Sequence, residues 1–514
     1  MTIRRLFFAL AILYVLPFWT VRYLPTVDGP SHTYNAWVLV QHGNTERYPL
    51  FSEHYRIDPR PHPNWIGHGA LALFMLAVPP LVAEKLVVSG YVLLFLGGAW
   101  YLAGSVRPEE RWLAFLAFPF VYHRYFQFGF YNFSIGLALY LFTVGFWWRH
   151  RSTPGLAFAV KINLLLVLCW LSHILSFGVS LISIAVLWLA TLRKESWRIW
   201  LRHVAILAPQ LAFPAWFFSV QGRGVDPAWR SFGDLVDLLV PPKMLHTFGS
   251  SHGWLATAVA IAFLLLILFT LRRGLRPTRE PGDAFLLLAV ALSAVYFVSP
   301  EGAAGGTGTP DRLSLFVYLA LLPGLAPRLG RKGTGAALAA LGLLALVNLG
   351  VLVHQYRVLG QDVERFVAGF APVRPNSRVF TLRFATDSPA ARINALSHAT
   401  AYAALEKGLV DWDNYEAKFP YFPVQFRPTV SFPELEGTLY DASALRIRQN
   451  RSRIDAYYLW GMPPGHPLET RLRRSFYRLV AKTGDGALYE RRPMPARKEA
   501  PRGGSARRSR RRSG

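Results

Sequence analysis

Cysteine is almost absent from this chain of 514 residues. The single cysteine, Cys169, lies inside an apolar block, which excludes an intramolecular disulfide and a cysteine-based metal cluster. Charged residues are also scarce, at 17%, whereas 52% of the residues are hydrophobic. A soluble domain of this length needs a larger charged fraction to cover its surface, so the composition favours a membrane protein.

Several familiar motifs are missing as well. The sequence has no Walker motif, no dinucleotide-binding glycine fingerprint and no G-x-S-x-G elbow, so ATP-driven transport and serine hydrolysis lack support. No solenoid-type repeat is visible. No A-x-A-type cleavage site follows the apolar stretch after Arg4 and Arg5, so we expect an uncleaved first helix.

Long apolar runs are the main positive feature. Blocks such as "WLATAVAIAFLLLILFTL" approach the roughly 20 residues that cross a bilayer as a helix. They predict a polytopic α-helical membrane protein with about eleven spans. The predicted spans are 6–24, 86–104, 112–130, 132–148, 158–175, 176–192, 199–219, 253–271, 283–299, 312–327 and 334–353. The apolar piece at 64–82, interrupted by Pro79 and Pro80, is predicted to be a short juxtamembrane or re-entrant helix in the first outer loop.

Basic residues indicate the orientation of these spans. The net charge is +26, and with a cytoplasmic N-terminus the loops rich in Arg and Lys all become cytoplasmic. These loops are 107–111, 149–154, 193–198, 272–279 and 328–332. The positive-inside rule therefore accounts for much of the charge without a nucleic-acid partner. We expect a multi-pass protein of the cell membrane, of the bacterial inner-membrane type.

The composition changes after His354. We predict a transmembrane domain over 1–353, a small α/β outer domain over 354–493 and a basic disordered tail over 494–514. Within the α/β domain, the predicted elements are a strand at 377–384, a helix at 391–409, a strand at 455–460 and a hairpin at 476–492.

The predicted topology gathers polar side chains on the outer side. The first outer loop carries Asp28, His32, His62, Asn64 and His68, and the outer ends of the spans carry His123, Arg124, Gln127, Asn132, Ser172 and His173. Polar groups at membrane depth are costly and usually face a cavity. We therefore predict a functional site on this side.

The stretch "TVDGPSH" allows two interpretations. Asp28 before Gly29 and Pro30 is typical of a helix cap, whereas a desolvated carboxylate near His32 is typical of a general base. A metal site built from Asp28 and His32, together with His62 or His68, is a further hypothesis. Structural or gating histidines are the alternative.

Arg312 follows a glycine-rich stretch, "GGTGTPD". Backbone N–H groups before a helix, together with a bidentate guanidinium, suit a phosphate. A flexible loop with an arginine that reaches the membrane interface is the alternative.

This order of features resembles the GT-C superfamily of integral-membrane glycosyltransferases, and it is similar to its protein O-mannosyltransferase and aminoarabinose-transferase branch. The shared features are "TVDGPSH" after the first span, the short helix "NWIGHGALALFML", the loop "GGTGTPDRLSL" and an outer C-terminal domain. Asp28 is followed by Gly29 where many relatives have an acidic pair. Asn132 or His123 stands where an acidic residue often opens the fourth span.

The resemblance implies a polyprenyl-phosphate sugar donor and a lipid, glycan or protein acceptor at the outer face. It implies that Asp28 is the catalytic base and that Arg312 contacts the donor phosphate. We expect His32 to assist catalysis, Arg124 to support the phosphate, and a divalent cation to be a possible cofactor. The expected substrate-binding residues are His62, Asn64, His68 and His173. A lipid or polysaccharide transporter or flippase and a non-catalytic envelope-assembly scaffold remain alternatives.

Overall fold

The computed structural model describes residues 2–192, 197–221, 228–249, 252–272, 274, 280–303, 306–385, 393–430 and 442–492. The predicted tail at 494–514 lies outside these residues. The first α-helices are α1 (Ile3–Leu13), α2 (Leu16–Trp19), α3 (Gly29–Gln41), α4 (Pro49–His54), α5 (Trp65–Met75), α6 (Pro80–Val106), α7 (Phe118–Val121), α8 (Arg124–Gln127), α9 (Tyr131–His150) and α10 (Leu156–Ser172). The later ones are α11 (Ile174–Ala190), α12 (Trp197–Leu207), α13 (Ala212–Gln221), α14 (Phe232–Leu239), α15 (Gly253–Arg272), α16 (Ala284–Val298), α17 (Thr309–Gly324), α18 (Arg331–Ala368), α19 (Thr400–Lys407) and α20 (Pro467–Arg474).

Short 3-10 helices and strands complete the described chain. The 3-10 helices are Pro108–Ala117, Ala208–Leu211, Lys243–Leu245, Pro281–Asp283, Glu416–Lys418 and Ala442–Ala444. The strands are β1 (Tyr55–Ile57), β2 (Gly302–Ala303), β3 (Gly306–Thr307), β4 (Arg378–Arg383), β5 (Val410–Asp411), β6 (Val424–Phe426), β7 (Ala456–Trp460), β8 (Tyr477–Thr483) and β9 (Gly486–Arg491). The molecule is therefore mostly helical.

Five helical segments in the described chain are long and apolar enough to cross a membrane. They are Pro80–Val106, Trp197–Val220, Gly253–Arg272, Pro281–Val298 and Arg331–Ala368. Each coincides with a predicted span. Four other predicted spans, 132–148, 158–175, 176–192 and 312–327, are occupied by the helices α9, α10, α11 and α17.

The predicted spans 6–24 and 112–130 are divided into short helical pieces. The segment 6–24 is divided into α1 and α2, with Pro17 in the first turn of α2. The segment 112–130 is a 3-10 helix followed by α7 and α8, with Pro119 in the first turn of α7. Proline lacks the N–H that would continue a helix, and it is favoured in the first turn of a new one. Neither predicted span is therefore one continuous helix.

The short helix predicted in the first outer loop is observed as α5. It has 11 residues, which corresponds to about 16 Å, or roughly half the thickness of a bilayer core. It packs against α3 and α6. This packing brings His68 of α5 towards His32 of α3.

The C-terminal region contains a five-stranded sheet with the order β5-β4-β7-β9-β8. β4 runs parallel to β5 and β7, whereas β9 is antiparallel to β7 and β8. The predicted strands and hairpin are observed as β4, β7 and β8–β9. The predicted helix at 391–409 is shorter, because its described residues before Thr400 form turns in which Asn394 accepts a hydrogen bond from the N–H of Leu396, at 3.2 Å.

The sheet region is closely joined to the segment between α2 and α6. α18 continues through the predicted domain boundary at 353, β6 pairs with β1, and α19 packs against α3. The hydroxyl of Tyr402 on α19 donates to the carbonyl of Leu24 at 3.1 Å. These contacts bring C-terminal side chains next to Asp28, and they create the site described below.

Candidate functional site

A cavity of about 590 Å³ lies between the helical part and the C-terminal segment 415–422. Five of the predicted site residues line it: Asp28, His32, Asn64, His173 and Arg312. These residues come from three separate parts of the chain, so the cavity unites the first outer loop, the start of α11 and the start of α17.

The backbone around Asp28 is held tightly. The N–H of Asp28 donates to the carbonyl of Phe128 at 2.9 Å. Gly129 has a φ of 82°, and a Cβ placed there would lie 2.3 Å from the backbone nitrogen of Gly29. Only glycine fits this close approach without strain. The turn that carries Asp28 is therefore fixed against the chain between α8 and α9.

Tyr131 also supports the turn that carries Asp28. Its hydroxyl donates to Glu84 of α6 at 2.9 Å and lies 3.1 Å from the hydroxyl of Thr26. A Cβ on Gly29 would lie 2.2 Å from this hydroxyl. Glu84, Tyr131 and Thr26 therefore position the loop rather than face the cavity.

Asp28 occupies the N-cap position of α3, but its side chain forms no capping hydrogen bond. Its Oδ2 accepts a hydrogen bond from the hydroxyl of Tyr415 at 2.7 Å, and its Oδ1 lies 3.6 Å from Nε2 of His398. The capping interpretation is therefore right about the position and wrong about the side-chain hydrogen bond.

Burial raises the pKa of Asp28 to about 7, although the charge of His32 and the Tyr415 hydrogen bond partly oppose this rise. A carboxyl group that exchanges its proton near neutral pH suits acid–base chemistry.

His398 is the second neighbour of the Asp28 carboxyl group. Its ring packs on Tyr415, with the centroids 4.8 Å apart, and its Nδ1 lies 4.0 Å from Asp413. Asp413 itself pairs with Arg383 at 2.7 Å. Burial lowers the pKa of His398 to about 4, so this imidazole is neutral at pH 7. Asp28 therefore faces a neutral ring and a phenol rather than a fixed cation.

His32, His68 and Glu416 form a second buried cluster beside Asp28. Nδ1 of His32 lies 2.9 Å from Oε1 of Glu416, and Nε2 of His68 lies 2.7 Å from Oε2. Burial by itself raises the pKa of Glu416, but the positive charge of His32 and His68 when the rings are protonated, and the hydrogen bond that His68 then donates, outweigh burial and bring this pKa down to about 2. Glu416 is therefore a carboxylate.

This cluster differs from the ligand set that the sequence suggested. Within the described residues, His32, His68 and Glu416 are the group whose donor atoms lie close enough together to share one cation, within 4.8 Å of one another. Asp28 is not a member of the group, because its carboxyl group turns towards Tyr415. Glu416 takes the place that the sequence suggested for Asp28.

Arg312 lies in a cage of aromatic rings. Its guanidinium carbon is 4.4 Å from the ring centroid of Tyr125 and 5.1 Å from that of Phe130. One N–H donates to the carbonyl of Thr307, and the buried Nε has no hydrogen-bond partner within the described chain. The neighbouring Asp311 instead pairs with Arg230, at 2.6 Å.

No carboxylate among the described residues lies within ion-pair distance of Arg312. A half-buried guanidinium whose buried Nε has an unused N–H is a suitable site for an anionic ligand.

The remaining predicted residues have other surroundings. His62 lies 3.4 Å from Asp58 and packs against Trp216, and Arg124 lies over the ring of Phe128 at 5.0 Å. Neither side chain lines the cavity. Their own local partners turn them away from the cavity, so their predicted contacts with substrate and phosphate have no support in the geometry.

His68 and His173 differ in how they relate to the cavity. His68 does not line it, but it lies directly behind His32. His173 lines it, and its Nδ1 accepts a hydrogen bond from the N–H of Leu175 at 3.2 Å. In the neutral ring, the proton is therefore on Nε2.

Tyr415, Glu416, Tyr421 and His398 were missed by sequence reasoning. All four lie more than 350 positions after Asp28 and match no local motif. The only signal in the sequence is the mixture of acidic and aromatic residues in "DWDNYEAKFPYFP". Its relevance depends on a contact between distant segments, which a single sequence does not reveal.

Much of the remaining cavity wall is apolar, although Asn132, Ser299, Thr307 and Thr309 also line it. Val179 and Ile182 of α11, Phe217 and Phe218 of α13 and Val295 of α16 contribute to it. Ile182 and Phe218 are also exposed on the surface, at 37% and 52%. The cavity thus has a polar end with ionisable groups and an apolar end that reaches the exterior, which suits an amphiphilic ligand.

These observations define a mostly helical protein whose described part has five helices long and apolar enough to cross a membrane. A cavity with a polar end and an apolar end lies at the junction with its C-terminal sheet. The sequence matches no protein-family model and shows no significant similarity to a curated protein.

Proposed function

We propose that this protein is a membrane glycosyltransferase that moves a sugar from a polyprenyl-phosphate donor to an acceptor hydroxyl. The observation that carries the proposal is the shared cavity of Asp28 and Arg312, which has a proton-exchanging carboxyl group, an unpaired half-buried cation and a largely apolar remainder. A lipid-linked phosphosugar has matching parts, namely a hydroxyl-rich head, an anionic linkage and a long apolar tail.

In the proposed reaction, Asp28 accepts the proton of the acceptor hydroxyl as the acceptor oxygen attacks the anomeric carbon. The bond between that carbon and the phosphate oxygen breaks, and polyprenyl phosphate leaves with both bonding electrons. Arg312 stabilises the charge that develops on the leaving phosphate. Attack opposite the leaving group inverts the anomeric configuration, and the proton on Asp28 returns to water.

We further propose that the polar end of the cavity lies at the outer face of the cell membrane. The basic loops of the sequence support this orientation, with a cytoplasmic N-terminus and about eleven spans. The C-terminal sheet would then be a separate outer domain that completes the site. The apolar wall formed by α11, α13 and α16 would accept the lipid tail.

The direct test uses membranes that contain the full chain and a series of labelled polyprenyl-phosphate sugars. We expect label to move to an acceptor and free polyprenyl phosphate to accumulate in equal amount. The matched control is a double variant, Asp28→Asn with Arg312→Gln. A flippase would move the labelled lipid without cleaving it, and a scaffold would do neither. Intact donor throughout the series would refute the proposal.

A further inference from the structure

We propose that His32, His68 and Glu416 bind a divalent transition-metal cation, with Zn²⁺ as the best match to their donor atoms. The three side chains belong to α3, α5 and the 3-10 helix Glu416–Lys418. Their exposed fractions are 4%, 0% and 0%, so water does not surround these polar atoms. Each buried lone pair in the cluster therefore needs a hydrogen-bond donor or a bound cation.

The hydrogen bonds of His68 determine which atoms face the centre of the cluster. Its Nδ1 lies 3.0 Å from the carbonyl oxygen of Asn64, and only a protonated Nδ1 can donate there. In the neutral ring, Nε2 therefore carries a lone pair. That lone pair faces Oε2 of Glu416 at 2.7 Å and Nδ1 of His32 at 3.4 Å. Such electron-pair donors need a positive group between them.

Protons on the two imidazoles would supply positive charge, but they leave one atom without a partner. Oε1 of Glu416 is buried and has no hydrogen-bond donor among the described residues. Nδ1 of His32 lies 2.9 Å away, which is ion-pair distance, but this contact is not a hydrogen bond. A buried carboxylate oxygen without a hydrogen bond is costly. A cation bound by the same atoms removes this cost, because coordination uses the lone pairs directly.

The donor set and spacing favour zinc. Two imidazole nitrogens and one carboxylate form the three-ligand set of zinc sites that keep a fourth position open. Bonds of about 2.0–2.1 Å in a tetrahedral site place neighbouring ligand atoms roughly 3.3 Å apart. The two histidine nitrogens already lie 3.4 Å apart. The contacts with Glu416 need to lengthen by only about half an ångström to match this spacing.

The surroundings of the cluster fit a metal site as well. The carbonyl of Asn64 orients the ring of His68 through the nitrogen that does not face the cluster, as outer-shell partners of metal-bound histidines do. His32 also lines the cavity, so the bound cation would lie at the cavity wall. The inference depends only on the cluster, and it holds whether or not the protein transfers sugar.

The test measures cobalt binding by the full chain, purified in detergent and stripped with a chelator. Titration with Co²⁺ is expected to give one ion per chain with the strong visible absorption of four-coordinate cobalt, and Zn²⁺ is expected to displace it. Glu416→Gln keeps the shape of the side chain and removes its charge. We expect this variant to bind Co²⁺ at least about 100-fold more weakly than the wild-type chain. Loss of a residue that only supports a metal ligand typically weakens binding by about 10–100-fold, so a larger loss indicates a direct ligand.

His54→Gln is the matched control, because His54 is a buried histidine of the same outer loop outside the cluster. It should leave cobalt affinity unchanged. Thermal unfolding verifies that each variant is folded, and His68→Gln replaces Glu416→Gln if the latter does not fold. Absence of the cobalt spectrum in the folded wild-type chain, or equal affinity in the cluster variants, would overturn the proposal. Since no glycosyl transfer is measured, this failure is distinct from a failure of the proposed function.

Discussion

The buried charged side chains at the two ends of α6 have different kinds of partner. At the C-terminal end, Arg107 donates to Asp283 at 2.5 Å and to Glu280 at 3.1 Å, and Arg328 also pairs with Glu280. At the N-terminal end, Glu84 accepts hydrogen bonds from tyrosines that support the cavity. The helix has 27 residues, so about 40 Å separates the two regions.

At the cavity end, Asp28 and Arg312 have no charged counter-ion within ion-pair distance in the described chain. Asp28 has a phenol and a neutral imidazole as partners, and Arg312 has aromatic rings and a carbonyl. A buried ion pair with both partners present is consistent with a structural role, whereas buried charges without counter-ions cost folding free energy. Sites that violate local rules of stability in this way are often functional. The Arg107 cluster is therefore consistent with a structural role, whereas Asp28 and Arg312 at the other end of α6 are consistent with a ligand site.

The largest expected effect is the loss of turnover in Asp28→Asn. The amide keeps the shape of the side chain and still accepts the hydrogen bond from Tyr415, but it cannot accept a proton from the acceptor. Loss of a general base lowers the rate by roughly 10²–10⁴-fold. The measurement is release of polyprenyl phosphate by purified protein. Asp362→Asn, which affects a surface pair with Arg365, is the control. Unchanged turnover in Asp28→Asn would remove the base assignment.

Arg312→Gln tests the other side of the cavity. Loss of one preorganised charge contact in the transition state costs about 10²–10³-fold in rate. The free energy of unfolding should not fall, because the variant removes a half-buried cation that has no carboxylate partner in the described chain. Arg312→Lys keeps the positive charge but lacks the planar guanidinium group. Its turnover should lie between that of the wild-type chain and that of Arg312→Gln. A variant that unfolds easily yet keeps its turnover per folded molecule would place Arg312 among the structural charges.

Arg107→Gln is expected to show the reverse behaviour. It leaves Asp283 buried without its guanidinium partner, and breaking a buried pair on one side costs about 3 kcal/mol of stability. Thermal unfolding in detergent measures the loss, while turnover per folded molecule stays at the wild-type level. Arg22→Gln, in an exposed pair with Glu406, should change stability by less than about 1 kcal/mol. Equal melting temperatures for the two variants would contradict the structural role of the Arg107 cluster.

The smallest expected effect is the pH dependence of turnover. The pKa of Asp28 is raised to about 7, so the carboxyl group holds a proton below this pH and is ready to accept one above it. Turnover should therefore rise with pH and reach a plateau above about pH 8, with roughly a tenfold decrease for each unit below pH 7. The profile of the wild-type chain between about pH 5 and 9 measures this midpoint. A midpoint near the usual aspartate range would show that burial does not control this group.

Local patterns predicted much of the secondary structure. The apolar blocks around 86–104 and 334–353 are long helices because their length and composition allow little else. The segment 112–130 is also largely apolar but is divided, and Pro119 stands in the first turn of a new helix inside it. Hydropathy averaged over a window does not register where a missing backbone N–H interrupts the hydrogen bonds of a helix.

The candidate site was predicted in part for a similar reason. Asp28, His32 and Arg312 stand beside helix starts, where sequence signals are clear, and the cavity unites them. His62 was grouped with them because it is near in sequence, but its ring packs on Trp216 instead. Glu416 could not be assigned, because nothing in its own neighbourhood distinguishes it from a surface acid.

The sequence by itself determined that this chain is rich in long apolar helices, that it cannot form a disulfide within itself, and that its polar groups are concentrated between those helices. These properties follow from composition and spacing, which act locally. Only the tertiary structure decided that Asp28 bonds to Tyr415 rather than caps α3, and that Glu416 joins two histidines of the first outer loop. The physical reason is that burial, pKa and coordination depend on which side chains surround a group, and here those side chains come from segments nearly 400 residues apart.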